Sequence, residues 1–135
     1  MRPLREYRVA DWTVAVAGVI AFGLGVLGLV DQDSQLSAVG LDPAAHPAAD
    51  PLRVTMTSAS VAALNTGAVY VLGVAQGWRW LPALTVATRT AQAAGFLVMI
   101  ATGVAPVSYV GAAVWEAAGA VITAGALLWE RRKSA

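Results

Sequence analysis

The chain contains no cysteine and a single histidine, His46, in its 135 residues. Without cysteine there is no disulfide, thiolate zinc site or iron–sulfur cluster, and redox compartment cannot be read from the sequence. One histidine is too few for a histidine-based metal centre or a haem pocket, so no metal and no cofactor is expected. His46 stands among prolines in a polar segment and reads as a solvated surface side chain. Charge is scarce as well. Only 13% of the residues are Asp, Glu, Lys or Arg, about half of the ~25% usual in a soluble domain. The net charge of +1 comes with no basic face interleaved with aromatics, which excludes nucleic acid as an expected partner.

Apolar length is what the chain does have. It is 58% hydrophobic, with a mean hydropathy of +0.65. Four windows reach the roughly 17–25 apolar residues that a membrane helix needs. They are Trp12–Val30, a second at about 54–76 whose apolar part ends at Val74, Leu81–Ala105 and Val107–Trp129. The expected fold is all-α: one integral membrane four-helix bundle covering residues 1–135, with an outer loop at 31–53. Arg2, Arg5 and Arg8 give the first window a signal-peptide-like flank. Its length and the absence of a small-x-small site before Asp31-Gln32-Asp33-Ser34 mark it instead as a retained anchor.

Orientation follows the basic residues. Arg2, Arg5, Arg8, Arg79, Arg131, Arg132 and Lys133 fall on one side of a four-crossing chain, and only Arg53 falls on the other. Both termini are therefore expected in the cytoplasm of a multi-pass cell-membrane protein. Trp12, Trp78, Trp80 and Trp129 lie at the same interface, where indoles prefer to sit. In the outer loop, Asp33-Ser34 is expected to cap a short helix through Leu41. Pro43, Pro47 and Pro51 are then expected to forbid regular helix and leave a lid or mobile segment.

Two charges interrupt the apolar windows, Arg89 in the third and Glu116 in the fourth. A charge at mid-membrane costs about 2.5–3.5 kcal/mol even on lenient insertion scales. Counting back from Trp129, Glu116 lies 13 residues in, at a depth of roughly 20 Å. Arg89 falls at roughly 12 Å, Gln92 at roughly 16 Å and Asn65 at roughly 14–18 Å by the same rise per residue. Helical spacing aligns Thr85, Arg89, Gln92 and Phe96 on one stripe, and Tyr109, Glu116, Ala120, Thr123 and Leu127 on another. Ser58, Asn65 and Leu72 make a third.

Facing inward, these stripes line a polar cavity, with Glu116, Arg89 and Asn65 as catalytic candidates. Gln92, Trp115, Phe96, Tyr109 and Thr123 are the substrate-binding candidates. Structural alternatives stay open. Arg89 and Glu116 can form an ion pair that only locks two helices, or Arg89 can snorkel to the headgroups. Trp115 can be packing or a lipid-facing ring, and Asn65 and Gln92 can be interhelical hydrogen-bond partners. Gly23-x-Gly25-x-x-Gly28 spells the dinucleotide fingerprint but sits inside an apolar helix, where no phosphate can reach it. With Gly18 it instead suits close helix packing, as do Gly67, Gly73, Gly95, Gly103, Gly111, Gly119 and Gly125.

The chain combines an N-terminal anchor ending in Gly23-Leu24-Gly25-Val26-Leu27-Gly28, an outer loop with Gly40-Leu41-Asp42-Pro43, Arg89 in helix three and Glu116 in helix four. In this plan the chain resembles the DoxX-like group of small bacterial four-helix membrane proteins over nearly its whole length. Some members of that group are associated with quinone-linked oxidation, a role that no redox-active residue here supports. Size and helix count are also similar to small multidrug-resistance exporters, but those carry their essential glutamate in the first helix, where this chain has no carboxylate.

The expected function is binding of a lipophilic small molecule, such as an isoprenoid or polyketide, with membrane lipid as the surrounding partner. The reaction would be a cofactor-independent isomerisation, cyclisation or epoxide opening with Glu116 as general acid or base. A proton donor in a dry, aromatic-lined cavity suits such chemistry. Two alternatives stand beside an isomerase or cyclase. One is a proton-coupled transporter, which would need a homodimer for alternating access. The other is an accessory subunit whose Arg89–Glu116 pair is only structural.

Overall fold

The computed structural model describes residues 7–134, so Arg2 and Arg5 of the N-terminal basic flank lie outside the described residues. Five α-helices run in the order α1 (Val9–Val30), α2 (Gln32–Ala38), α3 (Pro51–Gln76), α4 (Leu81–Ala101) and α5 (Val110–Ser134). Short 3-10 turns occupy Pro43–Ala45 and Val107–Tyr109, and no strand occurs among the described residues. The helices α1, α3, α4 and α5 (the last with its leading turn) are each long and apolar enough to cross a membrane. The shortest, α4, has 21 residues and extends about 31 Å, against a hydrocarbon core of about 30 Å.

Helix ends are set by local chemistry, and several differ from the sequence windows. Pro51 does not break structure; it opens α3, because a proline at the first helical position loses no hydrogen bond that the helix would have made. Asp50 caps this end, its carboxylate accepting from the Leu52 N–H at 2.8 Å. That bond, with the His46 imidazole 3.5 Å away, holds the Asp50 carboxyl below its ordinary pKa. The cap of α2 is Asp31 and not Asp33-Ser34, and the helix ends at Ala38, short of Leu41. Asp31 accepts from the Ser34 hydroxyl at 2.6 Å and the Ser34 amide at 3.0 Å, and both bonds lower its pKa.

The turn between α3 and α4 closes through Gly77, at φ 75°. Its N–H donates to the Val74 carbonyl, and the Trp78 N–H reaches the Gly73 carbonyl, each at 2.9 Å. A side chain at that φ would strain the turn. Gly103, at φ 73°, ends α4 in the same way, with the Val104 N–H on the Met99 carbonyl. This is why α4 stops at Ala101 and not at Ala105.

The chain forms two compact units, one of residues Gly18–Val69 and one of Met1–Ala17 with Tyr70–Ala135. In the Gly18–Val69 unit, α1 and α3 run antiparallel along a seam of small residues. A methyl group on Gly25 would meet the Ser60 carbonyl at 2.7 Å and the Leu64 nitrogen at 2.6 Å. One on Gly67 would meet the Phe22 nitrogen at 2.5 Å and the Gly18 carbonyl at 2.6 Å. Such backbone contact without side chains is how apolar helices gain packing when hydrophobic driving force is absent. Gly23 has open space around it, so the fingerprint spacing has no structural role.

Side-chain bonds tie the segment between α1 and α3 to itself and to α3. The Arg53 guanidinium pairs with Asp33 at 2.6 Å and donates to the Pro43 carbonyl at 3.1 Å and to the His46 carbonyl. Gln32 and Gln35 tie α2 to α3 through the Thr57 and Ser60 hydroxyls at 2.8 and 2.9 Å.

In the second unit, Val14, Val74 and Leu81 form the buried core, flanked by Tyr7, Ala15, Tyr70 and Trp78. Here α4 packs along α5.

Gly67→Ala is expected to lower stability by roughly 1–3 kcal/mol, the usual cost of overpacking. Gly95→Ala, where a methyl group meets nothing within 4 Å, is expected to leave it unchanged. Reversible unfolding in mixed detergent micelles measures both; equal losses would remove the seam from the account.

Candidate functional site

On α4 the buried face is Leu81, Pro82, Thr85, Arg89 and Ala93, and on α5 it is Ala113, Ala120, Thr123 and Ala126. The i+4 spacing of Thr85, Arg89 and Ala93 keeps a guanidinium on the packed side of an otherwise apolar helix. Alanines across from it let the two helices approach. Arg89 Nε lies 3.2 Å from Glu116 Oε2, and the two side chains are 8% and 14% exposed. Arg89 therefore turns inward to the carboxylate and does not snorkel.

Two further residues of α5 shape the seat of the guanidinium. Its Cζ lies 5.4 Å from the centre of the Trp115 ring, within cation–π range. A methyl group on Gly119 would overlap the guanidinium itself. Gly119 follows Trp115 by four residues and Glu116 by three, so all three project from one face of α5. Arg89 thus occupies a notch whose floor is a missing side chain and whose walls are an indole and a carboxylate.

The pair is not fully satisfied. Glu116 Oε2 is buried and accepts no hydrogen bond among the described residues, because the adjacent Nε–H is not aimed at it. A buried carboxylate oxygen without a donor is costly, and a proton or a donor group of a ligand would relieve that cost.

A chain of polar contacts ties α1 to α5 in the same unit. The Glu130 carboxylate accepts from the Ala10 N–H at 2.9 Å, capping the start of α1 from another helix. Thr13 donates to the Ala10 carbonyl at 2.8 Å and stands 3.1 Å from the Thr123 hydroxyl. Arg8 pairs with Asp11 at 2.8 Å and reaches the Arg79 carbonyl at 3.3 Å. The start of α1, the α3–α4 turn and the end of α5 therefore lie together.

Of the candidates from sequence, the structure brings Arg89, Glu116 and Trp115 into one cluster, although Trp115 is also 43% exposed. Phe96 and Tyr109 meet each other at 6.1 Å, both half-buried, with Tyr109 on the 3-10 turn before α5. Thr123 is buried against Thr13. Gln92 is exposed on α4. Asn65 belongs to the Gly18–Val69 unit, where it too is exposed. Neither amide makes a side-chain hydrogen bond among the described residues. Among those residues no three His, Asp or Glu side chains gather as a metal site.

Sequence reasoning treated Gly119 as generic packing and did not single out Thr13. The signal for Gly119 was its position one turn beyond the only carboxylate in its window. Thr13 had no signal, since its partner is 110 residues away.

Gly119→Ala is expected to expel the guanidinium and lower stability by roughly 1–3 kcal/mol, as other overpacking changes do. Gly125→Ala on the same helix, where a methyl group meets nothing within 4 Å, is the control. Detergent unfolding midpoints compare them; two equal midpoints would show that the notch does not hold Arg89.

Compared with models of known protein families, with curated proteins and with solved structures, the chain matches none of them.

Proposed function

We propose that this chain is an integral membrane four-helix bundle, both termini cytoplasmic, that binds a lipophilic metabolite at Arg89 and Glu116. The membrane part of the reading is supported by an apolar exterior. Val19 on α1, Val98 on α4 and Val121 and Ile122 on α5 are all more than 60% exposed, and Leu72 on α3 is 57% exposed; water-soluble proteins rarely leave such extended apolar faces bare. Orientation rests on the basic residues at the end where α1 starts and α5 finishes. The DoxX-like resemblance, carried by the glycine-rich anchor, Gly40-Leu41-Asp42-Pro43, Arg89 and Glu116, belongs to the same proposal.

One observation carries the ligand reading: Glu116 Oε2 is buried and lacks a hydrogen-bond donor despite the guanidinium beside it. A pair serving only to lock helices gains most when both partners are fully bonded. An open acceptor suits a group that takes a proton from a ligand, or returns one to it. Arg89 balances its charge, and Trp115 offers a π-face to a cationic intermediate. Cofactor-independent isomerisation, cyclisation or epoxide opening is the chemistry in keeping with these groups. The structural lock is the second reading, favoured by the notch at Gly119, which fits Arg89 closely.

The two readings separate in variants. Under the ligand reading, the apolar pair Arg89→Met with Glu116→Leu, which leaves no charge unpaired, keeps helix content and unfolding midpoint while turnover, or a small molecule copurifying in mild detergent, is lost at least 100-fold, as general acid–base groups imply. Under the lock reading, the same apolar pair keeps both stability and function; under either reading Glu116→Gln alone lowers the midpoint, because Arg89 is left without its carboxylate.

A further inference from the structure

Two grooves meet at the end of the molecule where α1 begins and α5 finishes. One, of about 330 Å³, is a polar mouth whose lining includes Arg8, Glu130, Lys133 and Ser134. The other, of about 360 Å³, runs between α1 and α5 past Val9, Thr13, Ile122, Gly125 and Ala126. Val9 and Trp129 line both, so the mouth and the apolar groove adjoin across these two side chains. The Lys133 ammonium lies over the Trp129 ring, 3.8 Å from its centre, which fixes a positive charge at that junction.

From this arrangement we infer that the joined grooves hold one acidic phospholipid of the cytoplasmic leaflet, its phosphate at Lys133 and one acyl chain along Gly125. Charge selects the head. Asp11 is paired with Arg8, and the Glu130 carboxylate is engaged by the Ala10 amide. Lys133 has no carboxylate partner among the described residues, and Arg131 and Arg132 stand in the same turn. Each such basic group near an anionic surface contributes about 1 kcal/mol. Shape selects the tail. Gly125 is exposed, and a methyl group there would meet nothing within 4 Å, so the glycine leaves a channel floor and not a helix contact. A free phosphate would satisfy Lys133 but leave the apolar groove empty; only a molecule with both parts fits.

This inference rests on the membrane placement proposed above, and the test separates the two. The full-length protein is placed in nanodiscs of equimolar phosphatidylglycerol and phosphatidylcholine and released for native mass spectrometry. One retained phosphatidylglycerol per chain is expected. Lys133→Gln, at an exposed helix end, is expected to reduce the preference for phosphatidylglycerol about fivefold, the factor that corresponds to about 1 kcal/mol. Gly125→Leu, which fills the channel, is expected to abolish retention of either lipid, while circular dichroism reports unchanged helix. Equal retention of the two lipids by the wild type, or undiminished retention in Gly125→Leu, overturns the site while leaving the membrane placement intact. Failure of the protein to enter nanodiscs overturns both.

Discussion

A guanidinium and a carboxylate in contact inside two apolar helices impose the main constraint on this structure. Either charge alone in hydrocarbon would cost about 2.5–3.5 kcal/mol or more. Together, Arg89 and Glu116 offset much of such a burial cost when they meet. Their 3.2 Å contact therefore fixes which faces of α4 and α5 turn toward each other. The notch at Gly119 answers the need to bring the helices close around a large cation. The pair also leaves an oxygen unbonded, so the same constraint that orients the helices leaves a buried acceptor open.

Several other polar groups of this unit set position. Glu130 caps the Ala10 N–H of α1 from another helix, beside the Asp11 carboxylate that accepts from the Arg8 N–H, and the Thr13–Thr123 contact sets the level of α1 against α5. Helix ends are otherwise made by single residues whose job is backbone geometry, such as Gly77 and Pro51. In the Gly18–Val69 unit the ordering agents differ. A glycine seam joins α1 to α3, and Arg53 gathers the outer segment onto Asp33 and two carbonyls. Each unit thus has its own arginine as an organising side chain, one within the apolar helices and one outside them.

The four long helices were legible in the sequence because apolar length is a strong signal and nothing else competes with it. The Arg89–Glu116 pair was legible for a related reason: an expensive charge needs a partner, and only two such charges exist in the windows. Asn65 and Gln92 looked equivalent by depth, yet both are exposed, because depth along a helix does not fix direction around it. Pro51 was misread since a proline forbids helix before itself but not after itself. The partners of Gly25 and Gly67 could not be read at all. They are distant in sequence, and small residues carry no mark of which face they occupy. Gly119 shows the same limit, for its importance comes from a side chain on another helix.

Solid-state NMR on isotopically labelled protein in lipid bilayers addresses the central contact directly. The account predicts a strong dipolar correlation between Arg89 Nε and the Glu116 carboxyl carbon, with no dephasing of the guanidinium by lipid phosphorus. Loss of that correlation, together with arginine signals close to phosphate or bulk water, would contradict it.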